Sequence, residues 1–162
     1  MITKLFEWQT KKDGKAMSEN YQRISDSLVK IYSNILRIEE SELRKSQFNN
    51  LTIQEMHAIN AISMYEHKTA SEVAKELHLT PGTLTSTIDR LAKKGYVERI
   101  RSKDDRRVVR LGLTKKGRVE YRAHAAFHHT LVKEFLNGFN DEEVSVIQRA
   151  LRNLERFMDD HS

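Results

Sequence analysis

Apolar residues recur at intervals of three and four along most of the chain, a spacing that predicts a mainly helical fold. The first stripe runs from 18 to about 45 and is expected to form a long terminal helix. Each later stripe follows a side chain that can accept a hydrogen bond from the first turn of a helix. The later helices are predicted to begin at Thr52, Thr69, Thr80, Thr114 and Asn140 or Asp141. The helix after Thr114 is expected to turn inward Val119, His124, Phe127, Leu131 and Phe135.

The helix after Thr80 has a polar outer face. Pro81 suits the first helical position, and Gly95 can adopt the left-handed conformation that ends a helix. Leu84, Ile88 and Leu91 form its apolar stripe. Small hydroxyls, one acid and two cations lie opposite, a combination that suits base edges and phosphates. Taken alone, this face favours an ordinary solvated helix. The neighbouring elements change that interpretation, because a short helix, a turn and this second helix predict a helix-turn-helix.

Two alternating stretches, 96–101 and 108–113, predict strands, with Val109, Leu111 and Leu113 on one side of the second. The segment between them, 102–107, is a polar turn with three cations. Together they predict a β-hairpin directly after the helix-turn-helix, which is the position of a wing. The fold class expected from the sequence is mainly α with a small β-hairpin wing.

Charge is unevenly distributed along the 162 residues, whose net charge is +5. Residues 71–118 hold 13 Lys and Arg against 6 Asp and Glu, whereas 18–66 and 119–162 are net acidic. A basic block between acidic helices is typical of a protein that binds a polyanion.

No apolar run approaches the length of a membrane span, and cysteine is absent, so a cytoplasmic protein without a membrane partner is expected. The predicted organisation is a tail or added extension (1–17), a helical dimerisation region (18–50 and 115–162), and a winged helix-turn-helix lobe (51–114).

Sequence motifs of enzymes are missing. There is no phosphate-binding loop, no glycine-rich dinucleotide turn, no G-x-S-x-G and no H-E-x-x-H. We therefore expect no enzymatic activity and no catalytic residues. A winged helix that binds protein instead of DNA is the alternative from another class.

The order of these elements and several short motifs resemble the MarR family of winged-helix transcriptional regulators. The resemblance covers about 21–160, and its motifs are Ser71–Ala74, Thr83–Leu91, Lys94–Val97, Asp105–Arg107 and Leu113–Gly117. Within the family the chain is similar to the FabT group of fatty-acid synthesis repressors. That similarity is carried by Tyr21–Ile24, Ile38–Glu40, Glu55–His57, Arg106–Val109, His124 and Phe127–His128.

The resemblance implies a homodimeric repressor, bound to a pseudo-palindromic site in double-stranded DNA. It also implies no bound cofactor, but an acyl chain carried by acyl carrier protein as co-repressor. A MarR-type regulator that responds to another small apolar ligand is the alternative within the family.

Two groups of residues are predicted to contact DNA. The helix residues are Thr80, Thr83, Thr85, Ser86, Asp89 and Arg90. Asp89 could accept a hydrogen bond from cytosine or orient Arg90, and the second role is favoured. The wing residues are Arg101, Lys103, Asp105, Arg106 and Arg107. By family analogy Asp105 aims Arg107, and one of the two adjacent arginines enters the minor groove.

The resemblance also implies an effector pocket between the dimer helices and the winged lobe. Its candidate lining residues are Ile31, Ile35, Met56, His57, Ile59, Phe127 and Leu131; for each of them taken singly, plain core is the favoured interpretation. His124 and His128 share a helix face with His129 nearby, and His57 could supply a third metal ligand. Packed or solvent-facing histidines are the favoured interpretation, so no metal site is predicted.

Overall fold

The computed structural model describes residues 19–101 and 109–161, and it confirms a mainly helical chain with one antiparallel β-hairpin. The elements in chain order are α1 (Glu19–Lys45), α2 (Ile53–Ile62), α3 (Ala70–Glu76), α4 (Pro81–Lys93), β1 (Val97–Arg101), β2 (Val109–Leu113), α5 (Lys115–Phe135) and α6 (Asp141–Asp159).

The described residues form two compact units. Residues 36–131 make the first, which we call the winged lobe; residues 19–35 with 132–161 make the second, the terminal helical unit. This division assigns residues 36–45 of α1 and residues 115–131 of α5 to the winged lobe. The boundaries at 50 and 115 expected from the sequence separate a dimerisation function from a DNA-binding function, and this functional division stays a prediction.

The core of the winged lobe is built from the inner faces of α2, α3 and α4 and from the hairpin. Its most deeply buried apolar side chains are Ala58, Ile59, Ile62, Val73, Leu84, Ile88, Leu91, Tyr96 and Leu111. This core fixes the face that α4 turns outward.

The predicted helix starts are confirmed. Thr52, Thr69 and Asn140 each form a capping box with the glutamate three residues later. The Thr80 hydroxyl accepts from the Thr83 N–H at 3.2 Å, with proline in the first turn of α4. Gly95, with φ +80°, follows the end of this helix.

The hairpin pairs Val97 with Leu113 and Arg101 with Val109. Leu111 N–H also donates to the Lys68 carbonyl at 2.8 Å, which ties β2 to the segment before α3. Leu111 and Leu113 are buried as predicted, but Val109, expected on the same side, is 39% exposed because it lies at the outer end of the ladder. The predicted turn lies outside the described residues, as do the wing residues Lys103, Asp105, Arg106 and Arg107.

The inner face of α5 differs from the predicted one. Val119, expected inside, is 41% exposed, and Phe135 is also exposed. Gly117 and Glu120 are the buried residues of this helix among those described. Gly117 determines which face of α5 packs against the hairpin segment, because it lies so close to the Tyr96 carbonyl that a Cβ there would collide with the oxygen.

We expect Gly117→Ala to lower the free energy of unfolding by about 2 kcal/mol, because the added methyl must displace backbone. The matched control is Gly82→Ala in α4, where a Cβ would meet nothing within 4 Å. Gly82→Ala should raise the free energy of unfolding by less than about 1 kcal/mol, because alanine has a higher helix propensity than glycine. Urea unfolding of both variants checks the pair, and equal effects would contradict the explanation.

The terminal helical unit exposes much apolar surface in the single chain. Ile24, Leu28 and Ile31 of α1 are 60%, 46% and 50% exposed. On α6, Val144 and Ile147 are half-buried, whereas Leu151, Leu154 and Met158 are exposed. Among the described residues, no helix has the length and apolar character that a membrane span requires.

Candidate nucleic-acid interface and effector cavity

The outward face of α4 carries the six residues predicted to contact DNA. All of them are exposed: Thr80, Thr83, Thr85, Ser86, Asp89 and Arg90. Thr87 is buried beside the apolar stripe and donates to the Thr83 carbonyl at 3.0 Å. The structure therefore presents the polar face expected from the sequence, although contact with DNA stays a prediction.

The hydroxyls of this face are held close to the helix. Thr85 Oγ1 donates to the Pro81 carbonyl at 2.8 Å, and Ser86 Oγ donates to the Gly82 carbonyl at 3.1 Å. The hydroxyls of Thr80 and Thr83 form a hydrogen bond with each other, with 2.8 Å between the two oxygens. Such short side chains leave room for the major groove of DNA against the helix. The oxygens of Thr85 and Ser86 can still accept a hydrogen bond from a base, whereas each hydroxyl would have to rotate away from its helix carbonyl to donate to a phosphate.

The expectation that Asp89 orients Arg90 is wrong. Asp89 Oδ1 accepts from Arg99 Nη2 of β1 at 2.6 Å. Arg90, whose side chain is 53% exposed, pairs with α2 instead, donating from Nε to Glu55 Oε1 at 3.4 Å and from Nη2 to Thr87 Oγ1 at 3.0 Å. The Asp89–Arg99 pair joins the outer face of α4 to the hairpin, and sequence reasoning missed Arg99 because the partner comes from another element. Arg101, at the end of β1, is exposed.

Glu55 anchors the end of α4 that lies away from the Thr80 cap. Its carboxylate is 1% exposed and accepts from Lys94 Nζ at 2.6 Å and from the Thr52 N–H at 2.9 Å. Lys94 also donates to the Asn50 carbonyl at 2.6 Å. The capping glutamate of α2 thus doubles as the partner of two cations from α4, a role that the capping-box motif by itself does not reveal.

The pKa of Glu55 lies below its usual range. Burial on its own would raise that pKa, but the hydrogen bonds from Lys94 and the Thr52 N–H, with the nearby positive charge, outweigh burial. Glu55 is therefore a carboxylate at neutral pH, and its charge is matched by the cations that it holds.

A second feature is a cavity of about 230 Å³ in the winged lobe, bounded by α1, α2 and α5. Its lining residues are Glu39, Glu42, Leu43, Ser46, Phe48, Met56, Glu120, Ala123, His124 and Phe127. The structure thus brings together two of the residues proposed for an effector pocket, Met56 and Phe127.

The other proposed pocket residues lie elsewhere. Ile59 is fully buried in the core and does not line this cavity. Leu131 is half-buried near the end of the lobe, and His57 lies beside Glu39. Ile31 and Ile35 belong to the terminal helical unit.

Glu120 is the unexpected polar group of the cavity wall. It is 2% exposed, and its Oε2 has no hydrogen-bond partner among the described residues. Burial raises the pKa of Glu120 to about 8. At neutral pH it is therefore a protonated acid that can donate a hydrogen bond to a group inside the cavity.

We expect the raised pKa of Glu120 to make the free energy of unfolding depend on pH. Between the ordinary pKa near 4.5 and about 8, the folded chain holds a proton at Glu120 that the unfolded chain has lost. Glu120 therefore destabilises the fold progressively as the pH rises through that window. Glu120→Gln removes the effect, and its stability relative to wild type should be about 3–4 kcal/mol higher at pH 8 than at pH 5.

Urea unfolding at four pH values, compared between the two proteins, checks this prediction. Glu39, Glu42 and His124 line the same cavity, but they are common to both proteins and cancel in the difference. A difference that is independent of pH would contradict the raised pKa.

A cluster of one carboxylate and three imidazoles lies at one side of the cavity. Glu39 Oε1 is 3.3 Å from His124 Nε2 and 3.2 Å from His128 Nε2, and Glu39 Oε2 is 3.5 Å from His57 Nε2. Burial lowers the pKa of His124, and His128 lowers it further, against the opposing hydrogen bond to Glu39.

Sequence reasoning missed Glu39 and Glu120, although each left a signal. Glu39 falls four residues after Ile35 and four before Leu43, on the apolar stripe of α1. Glu120 falls on the stripe of α5 that continues through His124 and Phe127. An acid on an apolar stripe indicates a buried carboxyl with a specific role, or one with a raised pKa.

Comparison with known proteins agrees with this geometry. The sequence profile of the MarR family matches residues 51–109, from the start of α2 to the start of β2. The crystal structure of Streptococcus pneumoniae FabT in complex with DNA is 46% identical, with a TM-score of 0.80, over 88% of this chain and 99% of that one. The Bacillus subtilis HTH-type transcriptional repressor MdtR is 23% identical over 76% of this chain and 79% of its own length. YsmB, an uncharacterized HTH-type transcriptional regulator of Bacillus subtilis, is 30% identical, but the match spans 62% of that protein.

Together with these relatives, which are regulators and not enzymes, the winged helix identifies the chain as a DNA-binding transcriptional regulator. The chain belongs to the MarR family.

Proposed function

We propose that this chain is a homodimeric repressor that binds a pseudo-palindromic operator. The outward face of α4 carries the proposal: six exposed polar residues on a helix held at its Lys94 end by the buried Glu55. The similar Streptococcus pneumoniae protein was crystallised with DNA, which supports the same use of this face. In a symmetric pair, two such helices would enter successive major grooves about 34 Å apart.

The second copy is proposed to cover the apolar surface of the terminal helical unit. Exposed apolar side chains recur there on both α1 and α6, among them Ile24, Leu28, Leu151 and Met158. Large apolar side chains that recur in this way along two exposed helices are typical of surface that a partner subunit covers.

The genes under control are proposed to be those of fatty-acid synthesis, with a long-chain acyl group on acyl carrier protein as co-repressor. The likeness to FabT supports the first part, and the cavity supports the second. Leu43, Phe48, Met56 and Phe127 provide apolar walls, and protonated Glu120 provides a donor for a carbonyl. At about 230 Å³ the cavity would take only part of a long chain, because typical ligand pockets are about 300–1,000 Å³.

Adjacent residues connect the cavity to the DNA face. Met56 lines the cavity, and its neighbour Glu55 holds Arg90 and Lys94 of the recognition-helix region. A ligand that displaces Met56 would therefore act on the short helix that positions α4. The effector would alter operator affinity through α2, by a coupling that also makes operator DNA alter effector affinity.

An operator titration tests the proposal. Duplexes selected from a randomised palindromic library are labelled, and binding is followed by fluorescence anisotropy at several salt concentrations. A dimer that contacts six to ten phosphates should lose about three to five powers of ten in affinity between 50 and 200 mM salt. Absence of duplex binding at low salt would favour the protein-interaction module instead.

Acyl carrier protein that carries a long-chain acyl group and the same carrier protein without an acyl group are then added in separate experiments. At least tenfold tighter operator binding with the acylated form alone supports the proposed co-repressor. DNA binding that neither form changes would retain the repressor and reject this effector.

A further inference from the structure

We propose that Glu39, His57, His124 and His128 bind one divalent transition-metal ion, for which Zn²⁺ is the best fit. These residues come from three helices of the winged lobe: Glu39 from α1, His57 from α2, and the two other histidines from successive turns of α5. The proposal does not depend on the acyl effector or on the operator.

The spacing of the donor atoms carries the inference. Zinc bonds of about 2.0–2.1 Å in a tetrahedron place neighbouring ligand atoms about 3.3 Å apart. Here His124 Nε2 and His128 Nε2 are 3.1 Å apart, and both lie 3.2–3.3 Å from Glu39 Oε1. His57 Nε2 lies 3.5 Å from Glu39 Oε2, and the ligand atoms of Glu39, His57 and His124 all fall within 4.8 Å of one another.

The donor set suits the ion. Zinc accepts both imidazole nitrogen and carboxylate oxygen in four-coordinate sites, and a set with three imidazoles favours it over harder cations. Calcium and magnesium, which take mainly oxygen ligands, are disfavoured by the same set. Because no thiolate is present in the chain, oxidation would not destroy the site.

Burial gives the site an inner wall and an outer opening. The side chains of Glu39 and His124 are 4% and 10% exposed, whereas those of His57 and His128 are 39% and 44% exposed. Packing against neighbouring rings fixes the imidazoles: the His124 and His128 rings lie 4.4 Å apart, and Phe127 packs against His128. The exposed side provides a route for the ion.

The position of Glu39 favours a metal site over the interpretation of packed or solvent-facing histidines. Two imidazoles on one helix with a distant third are too few to predict a site. A buried carboxylate facing all three supplies the missing ligand and places it at the centre of the group. A bound ion would tie α1, α2 and α5 together, and its binding would stabilise the folded lobe.

The test uses the full chain, stripped with a chelator and returned to buffer without chelator. We expect Zn²⁺, titrated against a chromophoric competitor, to bind at one ion per chain, and Co²⁺ to give the visible absorption of a tetrahedral complex. Zn²⁺ should also raise the melting temperature. Glu39→Gln and His128→Gln should each weaken binding at least 100-fold and abolish the cobalt spectrum.

The matched control is His129→Gln, since this exposed histidine is the neighbour of His128 on the same helix. That variant should bind Zn²⁺ as the wild type does. Circular dichroism in chelator establishes that each variant is folded, and His128→Gln, at a half-exposed position, keeps the test available if Glu39→Gln unfolds. Fewer than about 0.1 ions per chain in wild type, or equal affinity in wild type and His128→Gln, would overturn the site and leave a cluster of hydrogen-bonded side chains.

Discussion

Thr85→Glu should weaken operator binding at least 100-fold while leaving the fold intact. Thr85 is exposed on the outer face of α4, and its hydroxyl makes one hydrogen bond, to the Pro81 carbonyl of its own helix. A carboxylate there would face the phosphates and acceptor-rich base edges of the major groove, and like-charge contact costs several kcal/mol. A 100-fold loss corresponds to about 2.7 kcal/mol. Anisotropy at fixed salt, with circular dichroism as the check on folding, provides the measurement.

Thr130→Glu is the control for that change. Thr130 is an exposed helical threonine of α5 whose hydroxyl donates to the Ala126 carbonyl, four residues back, at 3.0 Å. The two variants therefore make the same change of residue and of charge in the same local geometry. We expect less than a threefold loss for Thr130→Glu. Equal losses in both would mean that net charge, not the face of α4, governs binding.

Local signals predicted most of the winged lobe. Capping side chains fixed where α2, α3, α4 and α6 begin, because a cap depends on residues three positions apart. The helical spacing of apolar residues predicted the buried face of α4, and Gly95 predicted where the helix ends. The same reasoning gave the wrong inner residues for the start of α5. That face depends on close approach of Gly117 to the Tyr96 carbonyl, which no periodicity contains.

The candidate sites were less predictable because their partners are distant in sequence. Asp89 pairs with Arg99 of the hairpin, not with its neighbour Arg90. His124 meets Glu39 across 85 residues, and Arg90 meets Glu55 across 35. A single sequence gives the type and period of such residues but not their pairing. Acids on apolar stripes, as at Glu39 and Glu120, are the signal that would have identified two of them.

Glu55→Gln is expected to lower the free energy of unfolding by about 3 kcal/mol. The carboxylate is 1% exposed and holds Lys94, Arg90 and the Thr52 N–H; a neutral amide cannot match both cations, and breaking a buried pair in this way costs about 3–5 kcal/mol. Lys94 and Arg90 retain access to water, which places the expected loss at the lower end. Operator affinity should also fall, because α4 loses its anchor to α2.

Glu143→Gln, at the same position of the capping box of α6, separates the two roles of Glu55. Glu143 accepts from the Asn140 N–H at 2.9 Å, so its replacement removes a cap of the same kind, and we expect a loss below about 1 kcal/mol. The pH dependence provides a second check. Since the pKa of Glu55 is lowered, its stabilisation is complete above the ordinary pKa near 4.5 and is lost as the pH falls through the lowered value. Glu55→Gln should therefore flatten the acid limb of the stability curve, whereas an acid limb unchanged from wild type would show that Glu55 does not hold α4 through its charge.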